Sequence, residues 1–224
     1  MLFILFCIIL YVLGVTIWIV YFGRVSKALS NETKNDKYIH DASTHKILMV
    51  GDSVMRGVGT RDSSHSLGGL VATFLPSASI TVCAQDGARS GEVLRSLQEK
   101  NYGNHDQAII FCGGMDIIFF SSEDTIKKSL YDLFAYTTSL APHVIYVSPP
   151  DVGSAPIFPF PVSTLYTYRS KKFISLAKVC AKECGVAIVD YSTMKNTHFA
   201  RDKSHPNDVG YKELFELFKE HIIK

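Results

Sequence analysis

Charge of either sign is barely in excess in this chain: 23 Lys and Arg stand against 21 Asp and Glu, a formal net charge of +2 over 224 residues. The basic residues are scattered, whereas a binder of nucleic acid needs a basic patch or stripe, so nucleic acid is excluded as a partner. Cysteine is sparse as well. Cys7, Cys83, Cys112, Cys180 and Cys184 are odd in number and contain no CxxC pair, which argues against a disulfide framework and against a zinc ribbon. Cys180 and Cys184 are four apart and can share a helix face, but buried structural thiols are the reading for them. No internal repeat or low-complexity tract is present. With 47% hydrophobic residues, 15 Gly and 8 Pro, the chain is neither disordered, nor collagenous, nor a miniprotein held by cross-links. A sizeable core is available to one domain of ordinary length plus an appendage.

The appendage is at the amino terminus. Residues 2–22 contain no charge and are dominated by Leu, Ile, Val, Phe, Tyr and Trp. A helix of that length spans a hydrocarbon core of about 30 Å. A transmembrane anchor over residues 1–24, a polar linker over 25–44 and a soluble domain over 45–224 follow as expectations, with the membrane as a partner through the helix. Arg24 and Lys27 come after the apolar run rather than before it, unlike the basic start of a secretory signal. Ser26 and Ala28 nevertheless offer a small-x-small cleavage pattern, so a cleaved signal peptide is the competing reading. By the positive-inside rule the two basic residues favour a single-pass protein with a cytoplasmic domain. The periplasmic or extracellular side stays open.

From residue 46 onward short apolar runs rich in β-branched residues alternate with longer amphipathic stretches. Strands are expected at 46–50, 79–84, 107–112, 143–148 and 186–190. Helices are expected at 67–75, 91–100, 123–140 and 165–183, with a last one after Pro206. Continuous apolar strands such as ILMV and AIIFC suit a parallel sheet covered on both faces. The expected fold is a three-layer α/β/α sandwich on a five-stranded parallel sheet, doubly wound in a flavodoxin-like order. Segment 149–161 stands apart, holding five of the eight prolines.

Ligands of such sheets bind beyond the carboxyl ends of the strands, and the residues that follow each strand carry nearly all of the signal. Gly51-Asp52-Ser53 follows the first, Asp86-Gly87-Ala88 the second, and Gly113-Gly114-Met115-Asp116 the third. Near the carboxyl terminus the chain reads DxxHPNxxGY, from Asp202 through His205 and Pro206 to Tyr211. A GDS triplet by itself is common. In this order and spacing, over residues 46–223, the four blocks resemble the SGNH hydrolases, the GDSL esterase and lipase superfamily, and in particular its small bacterial single-domain members.

The resemblance implies an esterase with Ser53 as nucleophile, His205 as base and Asp202 as the carboxylate that orients the imidazole. A serine hydroxyl is a weak nucleophile until a base removes its proton, and histidine suits that task near neutral pH. The resemblance also implies oxyanion donors from the Ser53 and Gly87 backbone and from an Asn side chain in the third block. That Asn is absent. The family's Gly-x-Asn-Asp reads Gly113-Gly114-Met115-Asp116 here, and a thioether donates no hydrogen bond. Gly114 and Met115 are therefore expected at the oxyanion or substrate, with backbone N–H groups around Gly113 and Gly114 as candidate replacement donors. Loss of one such donor costs about 10²–10³ in rate.

Plainer roles stand beside these. Ser53 in a Gly-flanked turn can cap the next helix, Asp202 and His205 can be an exposed pair, and Gly87 can serve a tight turn. Asp52 and Asp116 are read as turn-fixing residues, and Arg56 and Arg89 as surface residues or contacts for an anionic substrate. Pro206 suits the first position of a helix. The remaining histidines lack motif support, and neither a metal nor a cofactor is called for. The expected function is a membrane-anchored serine esterase acting on (thio)esters of small or lipid-like acyl groups. Ile157, Phe158 and Phe160 are candidates for an acyl-chain site. An acyltransferase using the same residues and a catalytically weakened binding protein are the alternatives.

Overall fold

The strands form where β-branched and other apolar side chains run without interruption, because each must be buried on both faces. In the computed structural model, which describes residues 2–34, 45–100, 102–193 and 197–223, they are β1 (His45–Gly51), β2 (Ala78–Ala84), β3 (Gln107–Phe111), β4 (His143–Val147) and β5 (Ala187–Val189). All neighbours are parallel, in the order β2-β1-β3-β4-β5. The protein has the expected α/β fold, and the strands lie within a residue or two of their expected bounds.

Side chains alternate across the sheet. Leu48, Val50, Ala108, Ile110 and Tyr146 face one layer, made by α4 (Ser90–Glu99), α6 (Glu123–Leu140) and α7 (Val162–Glu183). Ile47, Met49, Ile109, Phe111 and Val147 face the other, made by α3 (Leu67–Phe74) and α8 (Asp208–Phe218). Two short helices follow strands directly: α2 (Ser53–Arg56) after β1 and α5 (Gly114–Ile118) after β3. Burying one Leu, Ile, Val or Phe side chain contributes about 1.5–3 kcal/mol, and two contiguous layers of them hold the sheet rigid. All five cysteines are free.

The register decides where a site can form. Gly51 lies opposite Ala84 and Phe111, Phe111 opposite Val147, and Val147 opposite Val189. The five strands therefore end level, and their loops leave from one edge.

Two features differ from expectation. Pro206 is not in a helix. Asn207 caps α8 instead, its side-chain oxygen accepting from the N–H groups of Val209 and Gly210 at 3.0 and 3.1 Å, while Pro206 bridges to Phe199. The apolar amino-terminal segment is helical, as α1, but α1 runs from Leu2 to Glu32 and takes in residues 25–32 of the expected linker. Those last turns are held by the domain: Phe22 and Leu29 are buried, and Ile19 and Val25 pack against the core cluster of α4, α6 and α7. Thr33 and Lys34 follow the helix, and the remainder of the expected linker, 35–44, lies outside the described residues.

Asp52 ends β1 and caps α2, accepting from the Val54 N–H at 2.9 Å. Burial pushes its carboxyl up from the ordinary 3.8 to about 7, against the lowering by that hydrogen bond and by the nearby His205 ring. The folded chain thus holds this proton more tightly than the unfolded chain, so ionisation opposes folding and this residue's contribution to stability falls as pH rises toward about 7. Asp52→Asn keeps the acceptor and removes the titration. Its melting temperature is expected to fall less than that of the wild type between about pH 5 and about pH 7.5. Parallel pH profiles of thermal unfolding would contradict this.

Candidate active site

Ser53 is the first residue of α2, directly after the capping Asp52, so its side chain projects at the level edge of the sheet. Its Oγ lies 2.7 Å from His205 Nε2, although 152 positions separate the two. On the other side of the ring, His205 Nδ1 lies 2.5 Å from Asp202 Oδ2. The second Asp202 oxygen accepts from the backbone N–H groups of Ser204 and His205, both at 3.1 Å. Asp202 is fully buried. Burial raises its carboxyl, but the hydrogen bond and attraction from His205 and the two N–H groups outweigh this and hold it below the ordinary carboxylate value. An ionised Asp202 accepts a hydrogen bond from Nδ1–H, which fixes the proton on that nitrogen and leaves Nε2 to accept the Ser53 hydroxyl proton.

The turn that carries this pair is tightly held. Lys203 adopts a left-handed φ of 59°, a conformation that costs a non-glycine residue about 1–2 kcal/mol. Its neighbours supply the restraint: Lys203 N–H donates to Ala200 O at 3.0 Å, Ala200 N–H to His205 O at 2.8 Å, and Ile157 N–H to Lys203 O at 3.2 Å. The Lys203 ammonium sits 4.4 Å from the centre of the Trp18 ring and 4.9 Å from that of Phe22, both on α1. Gly59 lies under the same turn. Its φ is +104°, and a Cβ there would stand 2.4 Å from Pro206 O and 3.2 Å from His205 Cβ. Only glycine lets the segment after α2 approach so closely. Nothing in the local sequence marks Gly59, because its partner is far along the chain.

A cleft of about 520 Å³ opens at Ser53 and His205, well within the range of small-molecule sites. Gly87, Gly114 and Met115 all line it, as do Ile118, Ile157, Phe158 and Tyr166. The residues singled out in the sequence are thus brought to one place. Gly87 has a φ of +68° and a Cβ there would meet nothing within 4 Å, so the turn role and a place at the cleft coexist. Phe160, grouped in the sequence with Ile157 and Phe158, is 76% exposed and is not among the lining residues. Asp116 fixes its turn as expected. It is buried and accepts from the Ser90 N–H and Oγ, each at 2.8 Å, and from Ser121 Oγ at 3.0 Å.

Arg56 is not a free cation for a substrate. Its guanidinium donates to both carboxylate oxygens of Asp86, at 2.6 and 2.5 Å, and to the carbonyl of Ser30 at 2.5 Å, while Ser30 Oγ also reaches Asp86. This clamp joins α2, the loop carrying Gly87 and the last turns of α1. Arg89 stacks on Phe119, 4.8 Å from the ring centre. Ile19, Gly23, Ser26, Lys27 and Ser30 make α1 one wall of the cleft, with Ser26 Oγ 3.5 Å from His205 Nδ1. The local sequence does not mark that wall, because most of its residues are polar or small and their partners lie far along the chain.

Of the other histidines, His198 faces Glu213 and His65 faces Asp208, while His40 lies outside the described residues. Among the described residues no group of three or more His, Cys, Asp or Glu could hold a metal ion.

Solved structures with this fold include a lipase/acylhydrolase from Enterococcus faecalis, with 22% identity over 80% of this chain and 95% of that one at a TM-score of 0.62. An extracellular lipase from Streptomyces rimosus matches at 17% identity over 80% of this chain and all of the other, TM-score 0.64. An acetyl xylan esterase from Geobacillus stearothermophilus matches at 19% identity over 84% and 99%, TM-score 0.60. No curated protein matches in sequence. The model of the GDSL-like lipase/acylhydrolase family matches residues 49–213, from within β1 into α8 and well over half of the chain, so this protein belongs to that family of ester hydrolases.

Proposed function

We propose that the protein is a membrane-anchored serine esterase, with Ser53, His205 and Asp202 as nucleophile, base and orienting carboxylate. The observation that carries this reading is the unbroken chain of contacts from Ser53 Oγ through His205 to the buried Asp202, at 2.7 and 2.5 Å, on the floor of an apolar cleft. In the forward step Ser53 Oγ attacks the carbonyl carbon of a carboxylic ester or thioester while its proton passes to His205 Nε2. The oxyanion is held by the Ser53 and Gly87 backbone N–H groups. Collapse expels the alcohol or thiol, which takes the proton from His205 and leaves an acyl group on Ser53. Water, deprotonated by the same nitrogen, then releases the acid.

Two features support lipid-like acyl groups. The cleft is walled by Ile118, Ile157, Phe158 and Phe199, and α1 carries residues 2–22 without a charge, at a mean hydropathy of 2.8 over 18 residues. The most apolar 18-residue window of that segment is unburied by the domain and fits a single membrane span. Arg24 and Lys27 behind it favour a cytoplasmic domain. Met115 at the cleft supports a second reading, a protein of reduced turnover that chiefly binds its ligand, because the thioether stands where the family has an amide donor.

The test is hydrolysis of p-nitrophenyl esters from acetate to palmitate by the full chain in detergent micelles. Ser53→Ala and His205→Ala are each expected to lower kcat by about 10³-fold or more with circular dichroism unchanged. Wild-type rates from either folded variant would sink the assignment. A fluorophosphonate that fails to label Ser53, with no turnover of any ester, would favour the binding reading.

Met115→Asn places an amide donor at the cleft. A several-fold rise in kcat with little change in KM is expected, because the oxyanion exists in the transition state and hardly at all in the bound ester. No change or a loss, in a folded variant, would mean that Met115 faces away from the oxyanion or that another donor has replaced the Asn, with backbone N–H groups around Gly113 and Gly114 as the first candidates.

A further inference from the structure

Trp18, Tyr21 and Phe22 on α1 are followed at once by Arg24 and Lys27, the order in which a spanning helix meets headgroups. The level of Trp18 thus marks the edge of the hydrocarbon. The loop from Ala155 to Pro161 does not stop at that level. Trp18 Nε1 donates to Ile157 O at 3.1 Å, and farther along the helix the Tyr11 hydroxyl donates to Phe160 O. Tyr11 precedes Trp18 by two helical turns, about 10 Å along the axis toward the centre of the uncharged run.

A loop that enters hydrocarbon must bring its own hydrogen-bond partners. This one does. Pro156, Pro159 and Pro161 have no N–H to satisfy. The N–H groups of Ile157 and Phe158 donate to Lys203 O and Ala155 O, and the carbonyls of Pro159 and Pro161 accept from Ser163 and Thr164 in the first turn of α7. Trp18 and Tyr11 cover the carbonyls of Ile157 and Phe160. The side chains divide by face: Ile157 and Phe158 turn into the cleft, while Phe160 is 76% exposed. Phe120, also exposed, extends this apolar surface through Tyr166, whose ring lies 4.4 Å from that of Phe158 and 5.7 Å from that of Phe120.

We propose that segment 155–161 is immersed in the bilayer leaflet that α1 enters, so that the cleft opens at the hydrocarbon edge and takes the acyl chain of a membrane-resident lipid ester directly from the bilayer. The proposal rests on the reading of α1 as a membrane span and, for the substrate, on the esterase reading. The loop then acts as a thin partition, with lipid tails against Phe160 on its outer face and the acyl chain of the substrate against Ile157 and Phe158 on its inner face. Immersion of about 10 Å is what interfacial elements reach.

The full chain is reconstituted in phosphatidylcholine and phosphatidylglycerol vesicles with a photoactivatable benzophenone amino acid in place of Phe160. A second sample carries it in place of Glu99, at the far end of α4. Covalent adducts with lipid acyl chains are expected at 160 and not at 99; their absence at 160, or equal yields at both, overturns immersion. In parallel, Phe160→Asp is assayed on p-nitrophenyl palmitate dissolved in the vesicles and on soluble p-nitrophenyl acetate. A fall of about tenfold or more on the vesicle substrate, with the acetate rate within about twofold of wild type, is expected. Equal losses on both substrates, or no loss on either, overturn delivery from the bilayer. Wild-type protein that turns over neither ester refutes the esterase reading instead and with it the lipid-ester substrate, and the cross-linking still decides whether the loop is immersed.

Discussion

The pairing of β1 on both edges is the constraint from which the site follows. β1 is the strand with β2 on one side and β3 on the other, and its core residues Ile47, Leu48, Met49 and Val50 are fully buried. Because Gly51, Ala84 and Phe111 end level, the loops bearing Ser53, Gly87 and Met115 have no freedom to separate. The geometry of the candidate site does not have to be built by the loops themselves. They inherit it from a ladder of hydrogen bonds and from two apolar layers that cannot slide without exposing one face of the sheet. A carboxyl-terminal turn brings His205 to that edge, and its position is fixed by contacts with Gly59, Ile157 and α1 rather than by the sheet.

Much of this is legible in the order of residues along the chain, for a physical reason. Parallel strands are continuous apolar runs, and the polar residues that interrupt them mark the edge at which ligands bind. Gly51-Asp52-Ser53, Asp86-Gly87 and Gly113-Gly114-Met115-Asp116 stand out because each follows such a run. What the order of residues does not reveal is whatever depends on partners far along the chain. Arg56 reads as a surface cation until Asp86 and Ser30 are seen around it. Pro206 reads as a helix start, but the Asn207 side chain, which satisfies two N–H groups, defines the true start of α8. Residues 25–32 read as a linker, since Val25 and Leu29 are too few to make an apolar stripe by themselves.

α1 has two unlike halves, and the difference between them is informative. Up to Tyr21 its large side chains are mostly solvent-facing in the isolated chain, whereas Phe22 and Leu29 are buried against the domain. An anchor that served only to tether would need a slack connection to its cargo. Here the helix shares an ion-pair clamp with the loop beside Gly87 and stacks two aromatic rings under Lys203. Helix and domain form one body, so under the proposed membrane reading the orientation of the cleft to the bilayer is set by covalent and packed structure instead of by chance encounters.

The strained backbone at Lys203 gives this union a further meaning. A left-handed lysine persists only where its surroundings make every other conformation worse, and two of those surroundings, Trp18 and Phe22, belong to α1. A protein trimmed at the obvious boundary ahead of β1 therefore loses more than an apolar helix. It keeps the strain and gives up part of what holds it, bares the apolar surface that Phe22 and Leu29 had covered, and turns a walled cleft into an open trough. Any version of this enzyme that lacks α1 is, in that sense, a different enzyme.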